Sequence, residues 1–309
     1  MVTPAPRPIL IAGPTASGKS ALALAIAERV GGVIINADSM QVYRELHVLT
    51  ARPSSADEQR VPHRLYGHVS VLAPYSVARW LADVEGVLAE VGAKGLRPII
   101  VGGTGLYFKA LTEGLSPLPD IPDPIRRHWR SFARQSPAGA LHDELQQRDA
   151  IMADRLSPHD IQRITRALEV IDATGRSLAD WQACPGTPLI LPDGAIKLRV
   201  DRARFDLQTR ADQRFDTMIA EGAIDEVRAV MALSPSPEAP ALHALGFNPI
   251  AEMLAGRLVL EAAAGMSRIA TRQYIKRQQT WLNRHMISWT SVLLQDSCYL
   301  STETMQIID

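Results

Sequence analysis

Four short apolar runs punctuate the chain: Ile9 to Ala12, Val33 to Asn36, Arg97 to Val101 and Ala195 to Val200. The first three do not alternate between apolar and polar positions, so each reads as a strand buried on both faces, the habit of parallel sheets, and the fourth resumes the same sheet. Between them the period changes from that of strands to that of helices. Ser20 to Arg29 is one helical stretch, closed by Gly31 and Gly32. Ser76 is placed to cap another that runs to about Ala93, with Val77, Leu81, Val84, Leu88 and Val91 on one face and Gly95 beyond its end. Strands alternating with helices predict an open α/β sheet covered on both sides.

After the third run the pattern breaks. Pro117, Pro119, Pro122 and Pro124 punctuate one stretch and Pro185, Pro188 and Pro192 another, and between them no strand is apparent. Ser157-Pro158-His159-Asp160 predicts a helix start with Ser157 as cap, and the helix should end at Thr174 before Gly175. Ile161, Ile164, Leu168 and Ile171 form its apolar stripe. Residues 117–192 are therefore expected to be a smaller all-helical insertion in a core domain made of 1–116 and 193–309. Helices dominate again from Leu207 to about Met286.

The 309 residues are 46% hydrophobic and 21% charged, ordinary for a globular protein. Lys plus Arg and Asp plus Glu are both 33, so no global field draws in nucleic acid, and any such binding must come from local basic patches. Cys184 and Cys298 stand far apart, which argues against a disulfide framework or a zinc site. The first eight residues carry no apolar signal region and no apolar run spans a bilayer, so a cytoplasmic protein without membrane attachment is expected.

The chemistry begins at Gly13-Pro14-Thr15-Ala16-Ser17-Gly18-Lys19-Ser20, which fits the phosphate-loop pattern and lies between a predicted strand and helix. Its glycines let successive N–H groups turn toward phosphate oxygens, Lys19 adds a full charge, and the Ser20 hydroxyl is placed to meet Mg²⁺. A P-loop NTPase-like core follows. The run before Gly102-Gly103-Thr104-Gly105 ends without the acidic residue that helps hold Mg²⁺ in ordinary P-loop NTPases. The second run delivers Asp38 to the same carboxyl edge of the sheet, where ligands of open α/β folds gather. Asp38 is there a base for an incoming nucleophile, a helix cap, or a carboxylate reaching Mg²⁺ through its water.

These blocks resemble the tRNA dimethylallyltransferases, also called tRNA isopentenyltransferases. The phosphate loop, Asp38-Ser39-Met40-Gln41-Val42-Tyr43-Arg44, Val61-Pro62-His63, Tyr75-Ser76-Val77-Ala78-Arg79, Val101 to Tyr107 and Thr271 to Gln278 carry the likeness, in family order. The resemblance implies transfer of a dimethylallyl group from its diphosphate to N6 of the adenosine just 3′ of a tRNA anticodon, with Mg²⁺ assisting. It implies Asp38 as the base, Thr104 near the reacting atoms, and Arg126 near the departing phosphate or the tRNA. Contacts to the anticodon stem-loop are implied for Asp38, Ser39, Met40, Gln41, Thr104 and Arg126. A second set is Gln162, Arg163, Ile164, Thr165 and Arg166. A third is Lys276, Arg277, Gln278, Gln279, Thr280, Trp281, Leu282 and Asn283. Arg268, Arg272 and Lys276, recurring every four residues with Arg277 and Arg284 nearby, would extend a basic face. Ala244 to Asn248 departs from the family pattern. The Cys and His pairs of a C-terminal zinc finger are missing, so a bacterial-type enzyme is expected; a monomer is expected as well.

Three rivals stand beside this reading. An adenylate isopentenyltransferase would run the same chemistry on AMP, ADP or ATP. A small-molecule kinase shares the loop and an acid after the second strand but leaves the Gly102 to Tyr107 block without a role. A non-catalytic RNA-binding protein with a regulatory phosphate site is the third.

Overall fold

The computed structural model describes residues 6–191, 193–294 and 306–308, so Pro192 and Cys298 lie outside the described residues. The chain divides into two compact units, Met1–Thr112 with Leu189–Asp309, and Glu113–Pro188. The change of unit falls four residues before the expected bounds of 117 and 192 at either end.

The first unit holds a parallel sheet in the order β3-β2-β4-β1-β5-β6. Its strands are β1 (Ile9–Ala12), β2 (Gly32–Asn36), β3 (His63–Arg64), β4 (Arg97–Gly102), β5 (Ile196–Asp201) and β6 (Thr290–Leu293). Strand side chains alternate between faces, and each face has its own core. Ile9, Ile11, Ile34, Ile99 and Val101 pack against Leu22 and Ile26 of the helix Lys19–Val30. Leu10, Ile35 and Ile100 pack on the other face against Trp80 and Val84 of the helix Val77–Ala93. Trp80, Leu10 and Ile100 are fully buried, each such side chain contributing about 1.5–3 kcal/mol of transfer free energy. Ser76 caps its helix by accepting from the Arg79 N–H at 3.2 Å. The edge strands β3 and β6 had no sequence expectation, because β3 has two residues and β6 buries Val292 alone.

The second unit contains helices and no strand among its described residues. Trp129, Leu141, Leu145, Ile164 and Leu168 form its own buried core. Asp149 is buried and satisfied, accepting from Ser177 Oγ at 2.8 and 2.9 Å and from the Met152 N–H at 3.1 Å. One helix begins later than the sequence suggests. Ser157, Pro158 and His159 form a preceding turn, with the Asp160 N–H donating to Ser157 O at 2.9 Å. Asp160 itself is the cap, accepting from Arg163 N–H at 3.3 Å, so the helix is Ile161–Thr174. Gly175, with φ 65°, ends it as expected.

Candidate functional site

Strands β2, β4 and β1 are neighbours, so the loops that leave their carboxyl ends meet at one edge. The loop after β1 is the phosphate loop. Ala16 (φ 66°) and Gly18 (φ 95°) sit in the left-handed region, which turns the chain into a concave nest before the helix starts at Lys19. Its carbonyls are tied down from outside: Arg202 Nε donates to Ser17 O at 3.3 Å and Arg210 Nε to Ala16 O at 3.2 Å. The Gln278 side chain accepts from Thr15 N–H at 2.8 Å and donates to Gly103 O at 3.0 Å, joining the first loop to the loop after β4. Gly102 has no room for a side chain, since a Cβ would lie 2.0 Å from Ala37 O.

Beside this nest opens a cleft of about 420 Å³ lined by Ala16, Gly18, Lys19, Ser20 and Ala21 of the loop and helix, and by Arg210, Gln213, Arg214 and Thr217 of the helix Arg204–Ala220. Three cations, Lys19, Arg210 and Arg214, thus face one cavity in a chain of zero net charge. Enclosure by protein pulls Lys19 down from 10.5 to about 8, opposed by Asp38 and reinforced by Arg214. Burial lowers Arg214 too, again opposed by Asp38. An anionic ligand would offset the cost that enclosure imposes on these charges. Arg202, Arg210 and Arg214 were not foreseen. The available signal was Arg210 and Arg214 at a spacing of four on one helical face.

Asp38 stands two residues beyond β2, held by its backbone. Asn36, fully buried at the strand end, donates from Nδ2 to Asp38 O at 2.9 Å and accepts from Asp38 N–H at 2.8 Å. Trp80 Nε1 fixes Asn36 in turn through its carbonyl at 2.9 Å. The carboxylate accepts from Met40 N–H at 2.9 Å, and its Oδ2 lies 3.6 Å from where a Cβ of Gly103 would be. Thr104 Oγ1 accepts from Ser39 N–H at 2.9 Å and donates to Ser39 Oγ at 3.3 Å. Asp38, Ser39, Thr104 and the phosphate loop are thus brought together in one hydrogen-bonded edge. Burial, with the nearby Asp38 charge, raises the phenols of Tyr66, Tyr107 and Tyr274, so all three stay protonated hydrogen-bond donors at any physiological pH.

The residues expected to touch RNA divide by exposure. On the long helix Leu260–His285, Lys276, Arg277, Thr280 and Asn283 are exposed and Gln279 is half-buried. Gln278 and Leu282 are buried, and Trp281 packs on Gly105 and stacks on His285 at 4.3 Å. Arg268 and Arg272 are ion-paired with Asp216 and Asp212 of the helix Arg204–Ala220, so they join two helices instead of extending a basic face. Gln41 turns its Nε2 inward to Thr50 O and Ala51 O, and Met40 packs partly into the core. In the second unit Gln162 and Arg163 are exposed, whereas Ile164 and Thr165 are buried. There Arg166 and Arg130 both pair with the buried Glu169, at 3.1 and 3.4 Å, and Arg126 is half-buried near Asp123.

Comparison with known proteins agrees with this fold. The family model described as IPP transferase matches residues 41–285, and one described as isopentenyl transferase matches residues 7–70. The chain is 49% identical over 310 residues to a tRNA dimethylallyltransferase of Parvibaculum lavamentivorans, covering 100% of this chain and 98% of the relative. It is 51% identical over 285 residues to that of Agrobacterium fabrum, covering 92% and 96%. Among solved structures, the full-length tRNA isopentenylpyrophosphate transferase of Bacillus halodurans is similar with TM-score 0.69 and 30% identity, over 98% of this chain and 94% of the other. A eukaryotic dimethylallyltransferase acting on tRNA shares the fold at TM-score 0.79 and 24% identity, over 97% and 77%.

Proposed function

The chain belongs to the IPP transferase family, and from that premise we propose that its cationic cleft holds dimethylallyl diphosphate while Asp38 activates N6 of the adenosine just 3′ of a tRNA anticodon. Prenyl transfer to tRNA is the activity for which the relatives are named, and it is the activity of this chain. The observation that carries the finer reading is the juxtaposition of Lys19, Arg210 and Arg214 in one cleft with the Asp38 carboxylate electrostatically coupled to it. One side answers a leaving diphosphate, the other an incoming nucleophile.

In the proposed reaction the N6 lone pair forms a bond to the allylic C1 as the C1–O bond breaks, and the electron pair leaves with diphosphate. Asp38 takes the N6 proton, a role that contributes about 10²–10⁴ in rate. Lys19, Arg210 and Arg214 stabilise the charge growing on the departing oxygens, Lys19 and Arg210 from positions already held by bonds to Pro14 O and Ala16 O. Thr104 keeps Ser39, and with it the turn after Asp38, in place. The target base must leave its stack to reach this edge.

The site fits Mg²⁺ as a companion of the diphosphate. Ser20 lines the cleft, and the described residues contain no cluster of three carboxylates, histidines or cysteines that would cage an ion alone. Ser20 Oγ would hold the ion together with ligand phosphate oxygens, and the ion would neutralise leaving-group charge. Among the described residues no helix is long and apolar enough to cross a membrane; a monomer working in the cytoplasm completes the proposal.

The test is to incubate the protein with Mg²⁺, labelled dimethylallyl diphosphate and either unmodified tRNA or AMP. Label should enter tRNA and be lost when the anticodon-adjacent adenosine is replaced. Label in AMP alone would move the chain to the free-nucleotide acceptor. Asp38→Ala should cut turnover at least a hundredfold with tRNA affinity kept, and near-normal turnover in the folded variant would remove Asp38 as the base.

A further inference from the structure

Glu226 lies on the helix Ala223–Ala232 and is not among the residues that line the cleft. Its Oε2 accepts from the backbone N–H groups of His47 and Val48, both at 2.7 Å, and its Oε1 from that of Leu49 at 2.9 Å. Three consecutive N–H groups converging on one carboxylate form a nest filled from within the chain. The carbonyls of the next two residues are received by one side chain: Gln41 Nε2 donates to Thr50 O at 2.9 Å and to Ala51 O at 2.8 Å. Two carbonyl acceptors can be met only by the amide nitrogen, so the orientation of the Gln41 amide is determined and its oxygen is turned the other way. Gln41 is also tied by its own carbonyl, which accepts from Gly67 N–H at 3.0 Å. Three residues earlier in the chain stands Asp38.

We propose that Glu226 is a positioning residue for the transfer reaction, holding the 47–51 turn so that Gln41 and the Asp38 to Gln41 segment present one fixed geometry to the acceptor base. The proposal rests on the functional reading above and names a device for it. The turn does not depend on Glu226 to exist, since Leu46 and Leu49 are buried in the core beneath it. Loss of Glu226 therefore leaves a folded protein with an unanchored turn. A glutamine there keeps one acceptor oxygen but sets an NH₂ group against an N–H donor, so it should anchor the turn badly while conserving size.

The experiment compares single-turnover prenyl transfer at saturating tRNA for wild type, Glu226→Gln, Glu226→Ala, Gln41→Ala and the Glu226→Gln/Gln41→Ala double variant. Inorganic pyrophosphate binding and thermal midpoints are measured alongside. Glu226→Gln should slow transfer about tenfold or more, as small misplacements of reacting groups do, with pyrophosphate affinity unchanged within about twofold. The double variant should be no slower than Gln41→Ala, because both substitutions break one relay. Wild-type rates in folded Glu226→Gln, or effects that multiply in the double variant, overturn the proposal. If Glu226→Ala fails to fold, the glutamine variant and the double variant decide alone. Absence of any transfer by the wild-type chain overturns the functional reading and this proposal with it.

Discussion

The depressed Lys19 makes diphosphate binding pH-dependent in a way that can be calculated. In the free protein its ammonium loses its proton around pH 8, against an ordinary value of 10.5, because enclosure disfavours the charge. A docked diphosphate puts negative charge beside it and returns its pKa at least to the ordinary value. Binding therefore takes up a proton wherever the free protein is neutral and the complex charged, and affinity must fall as pH rises through that window. At pH 9.5 about one free molecule in thirty still carries the charge, while nearly all of the complex does, so affinity should drop about thirtyfold from pH 7. The nearby phenols do not confuse the reading, since Tyr43 is pushed up to about 12 and Tyr66, Tyr107 and Tyr274 are raised as well. The assay is calorimetric titration of metal-free inorganic pyrophosphate from pH 7 to 9.5, with Lys19→Arg as control. Arginine stays charged throughout, so its curve should show only the ligand's own deprotonation, and the thirtyfold fall is read as the difference between the two curves. Equal slopes in wild type and Lys19→Arg would refute the assignment of Lys19 to the diphosphate.

Gln278→Leu removes both hydrogen bonds of a bridge, leaving Thr15 N–H and Gly103 O without this partner. Chemical denaturation should show a loss of about 1–3 kcal/mol, with weaker pyrophosphate binding and unchanged tRNA affinity; a tRNA defect at full stability would make Gln278 an RNA contact instead. Gly102→Ala places a Cβ 2.0 Å from Ala37 O, so the thermal midpoint and activity should fall together, and a normal midpoint would show that the two loops can part. In the second unit Arg163 and Arg166 stand on the part of the helix expected to meet RNA phosphates. Arg163→Gln with Arg166→Gln should reduce the slope of log affinity against log salt by about one unit or more, and an unchanged slope would leave both as solvated residues.

The phosphate loop and Asp38 were legible in the sequence because each is local. A strand, a Gly-rich turn and a helix follow one another without a break, and Asp38 comes two residues after a strand. Parallel topology then brings their ends to one edge at no further cost in information. What the sequence could not rank was the set of braces. Arg202, Arg210 and Asn36 matter through backbone atoms far from them in sequence or through bonds to a strand end. No local pattern separates such an arginine from one on a solvated helix face. The helix start at Asp160 in place of Ser157 has a similar origin: both residues can cap, and the turn closed by the Asp160 N–H on Ser157 O decides between them.

The long helix Leu260–His285 shows that a readable signal can be present and still be read in the wrong order. Arg268 and Arg272 draw the eye as a basic face, yet each meets a carboxylate of the neighbouring helix and works as a strap, a type of exposed pair worth about 0–1 kcal/mol. From Ser267 onward the buried positions are Ser267, Thr271, Ile275, Gln278 and Leu282, which follow helical spacing of four, four, three and four. Three of the five are polar. A polar side chain on a core-facing stripe must find its partner inside the protein, since an unpaired group there is costly. Thr271 and Ser267 find theirs on their own helix, at Ser267 O and Ala263 O. Gln278 is too long for that solution and reaches instead across to the loops after β1 and β4. The period of the stripe, taken before the charges, would have placed Gln278 beneath the phosphate loop and left Lys276, Arg277, Thr280 and Asn283 as the face turned to solvent.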